Sequence, residues 1–297
     1  MITATKGIRV RAAAVLATAS AVLAGGVLTA APAQAVTTPT ITAKAGYVMN
    51  NANSKQLYAK GATTKLSTGS TTKIMTAAVV LSQSNLNLNT KVTIQKAYSD
   101  YIVANNASSA RLIVGDKVTV RQLLYGLMLP SGCDAAYALA DKFGTGSTRA
   151  ARVKNFIAKM NNKAKSFGMT NTKFDSFDGI GNGSNYSTAK DLSILAKNAL
   201  KNANFRAVVK TKSYQAKTVT KTGTTRTMAA WANTNTLLGY KGTFGVKTGS
   251  GPEAKYCLVF ASTLNGKTIV GTVLASTNAT TRTADVKKLI TYGFAKA

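Results

Sequence analysis

The sequence predicts an α/β two-region fold, in which an antiparallel sheet is flanked by helices and an all-helical region is inserted. Three observations support this class: an alternating hairpin pattern at 46–60, mostly helical periodicity from about 95 to 190, and late strand patterns that end in a helix. The early hairpin has no strand partner nearby in the sequence. We therefore expect it to join the late strands in one sheet.

The first 35 of the 297 residues have the pattern of a secretory signal peptide. Lys6, Arg9 and Arg11 give a basic start, an Ala-rich apolar stretch follows, and an A-x-A cleavage site ends at Ala35. An uncleaved membrane anchor is the alternative, although the stretch is only weakly apolar for a spanning helix. We expect a secreted or extracytoplasmic protein that begins near Val36 and acts at the cell wall or the outer face of the plasma membrane.

Residue patterns predict the remaining elements in chain order. The hairpin turns at the Asn-rich stretch 50–54, and strands at 243–250 and 255–277 surround an Asn265-Gly266 turn. The predicted helices are 70–83, 117–144 with a break at 130–132, 148–168, 188–202 and 281–297. This order predicts a sheet region made of 36–94 and 191–297, and an all-helical region at 95–190.

The residue types that the chain lacks restrict its chemistry. It has no histidine, which removes Ser-His-Asp and Cys-His nucleophilic sites and histidine zinc ligands. Its one glutamate is Glu253, and two cysteines cannot build a cysteine zinc site. Lysine is abundant, and a lysine can act as a base where burial or a neighbouring cation lowers its pKa.

The chain is strongly basic, with 38 Lys and Arg residues against 9 Asp and Glu and a formal net charge of +29. The basic residues are spread along the chain, and aromatic residues are not interleaved with them as a stacking platform for nucleic acid requires. In an exported protein this charge favours an anionic cell wall or membrane surface as a partner. We do not expect nucleic acid to be one.

Ser70-Thr71-Thr72-Lys73 is an S-x-x-K motif at the start of a predicted helix. A spacing of three residues places the serine hydroxyl and the lysine amine on one helix face, where a neutral lysine can take the serine proton. The helix N-terminus adds backbone N–H groups that can stabilise an oxyanion. A second copy runs from Ser187 to Lys190, and there we interpret Ser187 or Thr188 as a helix N-cap.

Lys-Thr-Gly also occurs twice. The copy at 221–223 lies in a polar stretch, and we interpret it as a solvated hairpin. The copy Lys247-Thr248-Gly249 lies at a predicted strand, where a substrate backbone can pair in β fashion and a terminal carboxylate can meet a cation and a hydroxyl.

Ser131-Gly132-Cys133 follows Pro130 at the predicted helix break. Taken alone, it reads as a helix-initiating serine followed by a small buried cysteine. Its position between S-x-x-K and Lys-Thr-Gly favours a functional role instead.

With these three motifs in this order, the chain resembles the active-site-serine penicillin-binding proteins and β-lactamases. Within them it is similar to the D-alanyl-D-alanine carboxypeptidase group, and to the small DD-transpeptidases whose middle motif ends in cysteine. The stretches that carry the resemblance are STGSTTKIMTA, LMLPSGCDAAYALA and FGVKTGSG, and it extends through NYSTAKDL and KKLITYGF.

The resemblance implies a β-lactamase/transpeptidase-like fold and a reaction without cofactor or metal. Ser70 would be acylated by the penultimate D-Ala of a peptidoglycan stem peptide ending in D-Ala-D-Ala, with Lys73 as the base. Ser131 would pass a proton to the leaving amine, and Lys247 would act electrostatically on Ser131 and Lys73. An amino acceptor or water would then take the acyl group, and β-lactams would inhibit.

The resemblance also implies a set of binding residues. The backbone N–H groups of Ser70 and Ser250 would form the oxyanion hole. The substrate-binding positions would be Cys133, Thr248, Gly249, Ser250 and Arg282, with Thr248 and Arg282 on the substrate carboxylate. Arg282 lies at the start of the predicted last helix, and a solvated charge at the helix start is its alternative reading.

The chain departs from the family pattern in three respects. Cys133 replaces the usual asparagine and cannot make that residue's two hydrogen bonds. The sequence ends at Ala297 without the further β-domain and amphipathic anchor of larger members. No glutamate lies between Ser131 and Lys247, where the related β-lactamases place the one that activates their deacylating water.

Two other functions remain open from the sequence. One is a serine β-lactamase, which the missing glutamate disfavours; the other is a non-catalytic basic protein that binds the cell wall. We expect no disulfide between Cys133 and Cys257, because Cys257 lies mid-strand while Cys133 faces the catalytic groove. We expect Cys133 to lie within contact distance of Ser70, so that modifying its thiol blocks acylation.

Overall fold

A computed structural model describes residues 36–297, which form one compact unit. The predicted signal peptide at 1–35 lies outside the described residues. Within 36–297, no helix is both long enough and apolar enough to cross a membrane.

Helices and strands alternate along the described chain. The helices are α1 (Lys73–Leu81), α2 (Lys96–Ala104), α3 (Val120–Met128), α4 (Cys133–Phe143), α5 (Arg149–Ser166), α6 (Ala189–Ala199), α7 (Ala203–Lys210) and α8 (Ala279–Lys296), with short 3-10 turns at Gly69–Thr72 and Tyr240–Gly242. The strands are β1 (Ala45–Asn50), β2 (Gln56–Lys60), β3 (Lys91–Thr93), β4 (Lys117–Thr119), β5 (Ser213–Tyr214), β6 (Lys217–Val219), β7 (Thr225–Thr227), β8 (Trp231–Ala232), β9 (Thr243–Gly251), β10 (Lys255–Leu264) and β11 (Lys267–Ser276).

The main sheet has five strands in the order β2-β1-β11-β10-β9. Its neighbouring strands are antiparallel, and β1 pairs with β11 so that Ala45 lies opposite Leu274. The early hairpin therefore joins the late strands, which confirms the predicted fold class. β9, which carries Lys-Thr-Gly, is an edge strand of this sheet.

Apolar side chains cover both faces of the sheet. In β1, Val48 packs with the α8 residues Val286 and Leu289, whereas Tyr47 and Met49 belong to the larger core on the other face. Alternate residues of a strand point to opposite faces, so a strand buried on both sides reads as a nearly continuous apolar run. The larger core contains most of α1, which places the first turn of that helix beside β9.

Several elements differ from the sequence-based predictions. Helices α2 and α7 and two small sheets, β3-β4-β6-β7 and β5-β8, were not expected. The first three residues of the predicted helix at 117–144 form strand β4 instead. The helix starts only at Val120, where Thr119 forms a capping box at the N-terminus of α3. Strand β4 also interrupts the region predicted to be all-helical. It was not predicted, because three residues are too few to show an alternating pattern. The division into two regions stays a prediction.

Candidate active site

The 3-10 turn and α1 hold the S-x-x-K motif. Lys73 begins α1 and is fully buried, and its Nζ lies 2.8 Å from Ser70 Oγ. The same amine donates to the backbone oxygen of Asp178 at 3.1 Å. Ile74 and Met75, which follow Lys73 in α1, are fully buried in the core and anchor the 3-10 turn that precedes the helix. A lysine amine and a serine hydroxyl are thus held at proton-transfer distance.

The break between α3 and α4 presents Ser131. Its φ of +66° is in the left-handed region, which a serine occupies only at a cost. The backbone around it is fixed by Gly132 N–H, which donates to the Gly126 oxygen at 2.9 Å, and by Ser108 Oγ, which donates to the Ser131 oxygen at 2.6 Å. Ser131 Oγ itself is buried and has no hydrogen-bond partner in residues 36–297. A buried hydroxyl without a partner is available to a ligand.

Lys247 extends from β9 into the wall of the site and is 1% exposed. Its Nζ donates to the backbone oxygen of Thr248 at 3.1 Å and lies 3.4 Å from Thr248 Oγ1. Burial lowers the pKa of Lys247 well below its ordinary value, and the neighbouring basic groups of Lys73 and Arg282 lower it further. Thr248 Oγ1 is 2.6 Å from Thr234 Oγ1, which orients the hydroxyl toward the groove.

A groove of about 840 Å³ brings the predicted site residues together. Its lining includes Ser70, Ser131, Cys133, Thr248, Gly249, Ser250 and Arg282. Lys73 and Lys247 lie buried behind this lining. At Gly249 a Cβ atom would come within 2.7 Å of the Thr68 oxygen, so only glycine lets β9 approach the 3-10 turn this closely.

Cys133 is both a small buried residue and a residue of the groove, which are the two interpretations that the sequence allowed. It is 1% exposed and lines the groove. Burial raises the pKa of its thiol, although the nearby Lys73 amine acts in the opposite direction. Its Sγ lies 3.6 Å from Ser108 Oγ. Cys257 is buried in β10, and both thiols are free.

Arg282 lies in the first turn of α8, which begins at Ala279, two residues before the predicted start at 281. The reading of a solvated helix charge is wrong, since the residue is buried and lines the groove. Its Nε is buried and has no hydrogen-bond partner in the described chain. Burial lowers the pKa of the guanidinium. The position suits an anionic ligand group.

The second copies of the motifs lie elsewhere. Thr188 is the N-cap of α6, and its side chain accepts a hydrogen bond from the Asp191 N–H, as predicted. Lys221-Thr222-Gly223 forms the exposed turn between β6 and β7, which confirms the solvated hairpin.

Several residues that shape the site were missed. Asp178 accepts from Lys73 through its backbone oxygen and from the Tyr101 hydroxyl through Oδ2 at 2.9 Å. Asn185 Nδ2 donates to Thr68 Oγ1 at 2.6 Å, below the 3-10 turn. A backbone oxygen has no signature in the sequence. The Asp178 side chain could have been noted in the Gly-rich stretch 175–184, where polar residues and glycines indicate an ordered loop.

The described residues bring together the groups that proton transfer needs. No group of three or more His, Cys, Asp or Glu side chains in 36–297 is placed to hold a metal ion. The groove brings together a hydroxyl 2.8 Å from a lysine amine, a second hydroxyl without a partner in 36–297, and the buried basic side chains of Lys247 and Arg282. Such an arrangement can form and stabilise a covalent acyl-serine.

This fold and this groove are those of a serine acyl-transfer enzyme. The chain belongs to peptidase family S11, the D-alanyl-D-alanine carboxypeptidases, whose family model matches residues 32–278. The predicted family and enzyme class are thereby confirmed.

Individual relatives agree with this assignment. The chain is 68% identical over 286 residues to the D-alanyl-D-alanine carboxypeptidase of Streptomyces sp. strain K15, covering 96% of this chain and 98% of that protein. The crystal structure of the Streptomyces K15 DD-transpeptidase superposes with a TM-score of 0.87 at 71% identity, covering 88% of this chain and all of that one. The carboxypeptidase DacF of Bacillus subtilis is 31% identical over 86% of this chain but 62% of its own length.

Proposed function

We propose that the groove acts on peptidoglycan stem peptides that end in D-Ala-D-Ala, through an acyl-enzyme on Ser70. Support comes from the family, from the names of the relatives and above all from one observation, the 2.8 Å separation of Lys73 Nζ and Ser70 Oγ. A base within hydrogen-bond reach of a serine hydroxyl is the first requirement of this chemistry.

In the proposed acylation, neutral Lys73 takes the Ser70 proton as Oγ bonds to the carbonyl carbon of the penultimate D-Ala. The carbonyl electron pair moves to oxygen, and the N–H groups of Ser70 and Ser250 stabilise that oxyanion. The C–N bond then breaks, and Ser131 passes a proton to the departing amine of the terminal D-Ala. The unpaired hydroxyl of Ser131 supports this role.

The buried basic residues of the groove have proposed roles in electrostatics and in binding. Lys247 acts electrostatically on Ser131 and Lys73, although its Nζ hydrogen bonds within 36–297 go to Thr248 and not to Ser131. Thr248 and Arg282 bind the terminal carboxylate, since both line the groove and Arg282 Nε lacks a partner in the described chain. Cys133 and Gly249 border the bound peptide.

The acyl group then passes to an amine acceptor, which forms a cross-link, or to water, which trims the peptide. β-Lactams acylate Ser70 by the same route and stay bound, because the sequence between Ser131 and Lys247 has no glutamate to activate water. The protein acts outside the cytoplasm. Its chain has a formal net charge of +29, of which only Lys6, Arg9 and Arg11 leave with the predicted signal peptide, and the remaining positive charge favours contact with an anionic wall or membrane surface.

Labelled penicillin tests the acylation step, with the second S-x-x-K copy as a matched control. We expect Lys73→Met to slow labelling by about 10²- to 10⁴-fold, the usual contribution of a general base. Lys190→Met, at an exposed lysine of the second copy, leaves labelling unchanged. Equal labelling of Ser70→Ala and wild type would refute the proposal. Turnover of many equivalents of a chromogenic β-lactam favours the β-lactamase alternative.

Product analysis tests the second step, the transfer of the acyl group from Ser70 to an amine or to water. A peptide donor ending in D-Ala-D-Ala is incubated with and without a glycine-type amine, and the free and transferred products are separated. Release of D-Ala with formation of a new peptide bond to the amine supports transfer. Release of D-Ala with only the shortened free peptide as the other product supports hydrolysis. A protein that binds cell wall but releases no D-Ala is the non-catalytic alternative.

A further inference from the structure

A second cluster of charged residues lies at the far end of α4 from the groove. Asp141, in the last turns of α4, is 7% exposed and accepts three hydrogen bonds. Its donors are the Tyr98 hydroxyl at 2.7 Å, Arg149 Nε at 3.2 Å and Arg152 Nε at 2.6 Å. The proposed catalytic steps do not use any of these four residues.

The Asp141 carboxylate accepts a hydrogen bond from each guanidinium group, but its single negative charge balances only one of their two positive charges. Burial alone would raise the pKa of Asp141, but the hydrogen bonds from Arg152, Tyr98 and Arg149 more than offset it and lower the pKa. Both arginines donate to this carboxylate through Nε. Their terminal N–H groups have no acceptor within residues 36–297. The buried carboxylate therefore fixes two guanidinium forks that are ready for an outside acceptor.

These arginines open into a pocket of about 560 Å³ that Lys91 and Lys142 also line. Four cations against Asp141, the pocket's one acid, leave a net charge of +3. A planar guanidinium fork pairs with two oxygens of one oxyanion, and phosphate offers such oxygens on every side. The pocket therefore has the charge and the donor geometry that suit a phosphate group.

The positive charge continues from the pocket across the small sheet. Lys91 and Thr93 of β3 both line the pocket, and their side chains lie on the face opposite the buried Val92. By strand register, Lys117 of β4 and Lys217 of β6 lie on that same exposed face. Lys117 lies opposite Thr93 and not opposite Lys91, so the three lysines are staggered. Neighbouring strands are about 4.8 Å apart, and the lysines therefore form a staggered row that spans about 10 Å across the three strands. None of the four strands contains an acidic residue.

We propose that this basic pocket and lysine row bind a linear phosphodiester polymer, with one phosphate between Arg149 and Arg152 and further phosphates along the row. A single phosphate would leave the lysine row without counter-charge, whereas a repeating phosphodiester matches it. A concave pocket admits a flexible chain more readily than the plane of a bilayer. The site is separate from the acylation groove, so the proposal does not depend on the proposed function.

The test is equilibrium binding of synthetic poly(glycerol phosphate) to the protein. Lys91→Gln/Lys142→Gln removes two charges from the pocket, and Lys44→Gln/Lys55→Gln removes two exposed charges near the β1–β2 hairpin as a matched control. We expect the pocket pair to weaken binding by about tenfold or more and the control pair by less than about twofold. Arg149→Lys/Arg152→Lys keeps the charge but loses the forks, and we expect a similar tenfold loss. Thermal unfolding midpoints verify that each variant folds.

Three comparison ligands make the outcome decisive. Inorganic phosphate and polyglutamate should bind much more weakly than poly(glycerol phosphate), and phosphatidylglycerol vesicles should not compete with it. Equal weakening by the pocket and control pairs would show binding by net charge alone and overturn the proposal. Equal affinity for polyglutamate, or binding of vesicles without binding of the polymer, would also overturn it.

Discussion

Lys247 places an amine inside the wall of the groove, where water does not reach it. The residue is 1% exposed, and the basic groups of Lys73 and Arg282 lie nearby. Burying a charge without a carboxylate partner is costly, and lowering the pKa is how a protein reduces that cost. The site therefore keeps this amine at the expense of stability.

The first prediction concerns pH. Because the pKa of Lys247 is lowered in the folded state, the unfolded chain takes up the proton first as pH falls below 10.5. The free energy of unfolding should then decrease by up to about 1.4 kcal/mol per pH unit, until the folded-state pKa is reached. Lys247→Met should remove this slope. Its stability relative to wild type, measured by denaturant unfolding, should rise as pH is lowered from 10.5 to 7.5.

The same exchange at the exposed Lys55 controls for the loss of one positive charge. Wild type and Lys247→Met curves that run parallel over this pH range would contradict the prediction.

At the residue scale, the sequence predicted the groups with chemically distinct side chains and missed those that act through the backbone. Motif spacing singled out Ser70, Lys73, Ser131 and Thr248, and the structure brings these four residues together at the groove, while their roles remain proposals. The Asp178 oxygen that accepts from Lys73 was not predicted, because any residue provides a backbone oxygen and only the folded loop brings this one to the amine. The pairing of Thr234 with Thr248 likewise depends on tertiary structure.

At the scale of elements, the loop 175–185 supports the 3-10 turn that carries Ser70. Gly179 has a φ of +95°, and a Cβ atom there would lie 2.0 Å from the Gly69 oxygen. Gly183, in the same loop, has a φ of +89° but no atom within 4 Å of its Cβ position. The two glycines share a backbone conformation and differ in their surroundings.

This contrast gives the second prediction. Gly183→Ala should cost about 1 kcal/mol, the usual penalty for a side chain in the left-handed region. Gly179→Ala should cost about 1–3 kcal/mol more, because the new methyl group must displace the turn. It should also slow labelling of Ser70 by penicillin, whereas Gly183→Ala should not. Denaturant unfolding and labelling rates measure the two effects, and identical results for both variants would contradict the role of the loop.

Long periodic elements were predicted from the sequence, and short ones were not. Helices α1, α5 and α6 and the hairpin β1–β2 show their periods over at least a full hairpin or two turns. The strands of the small sheets have two or three residues and pair with partners far away in the sequence, such as Lys91 with Thr119. Nothing local distinguishes such strands from loops.

At the scale of the whole molecule, Asp285 of α8 fastens the segment that leads into β1. It is 1% exposed and accepts hydrogen bonds from the N–H groups of Thr42 and Ala43 and from the Thr42 hydroxyl, at 2.9–3.1 Å. The two partners are more than 240 residues apart in the sequence. This contact closes the sheet region on itself.

The third prediction follows from that contact. Asp285→Ala should lower the free energy of unfolding by about 2–3 kcal/mol, because it leaves buried N–H donors without a charged acceptor. Asp100→Ala, which removes an exposed ion pair with Lys96, should cost less than about 0.5 kcal/mol. Thermal or denaturant unfolding compares the two. Losses of similar size would show that Asp285 does not fasten the segment.

The fold class of the whole molecule was predictable because the late strands could close a sheet only with the early hairpin. The position of α8 against the other face depended on long-range contacts such as Asp285 with Thr42, which sequence patterns do not reveal.

Helix α4 begins at Cys133 in the acylation groove and passes Asp141 in the basic pocket. Eight residues of helix separate the two sites by about 12 Å. If the pocket binds a phosphodiester polymer of the cell wall and Ser70 reacts with stem peptides, as we propose, the bound polymer would tether the enzyme beside its substrate and raise the effective concentration of stem peptides at Ser70. On an insoluble wall, where substrate cannot diffuse to the enzyme, that local enrichment would set the rate more than affinity for the peptide alone.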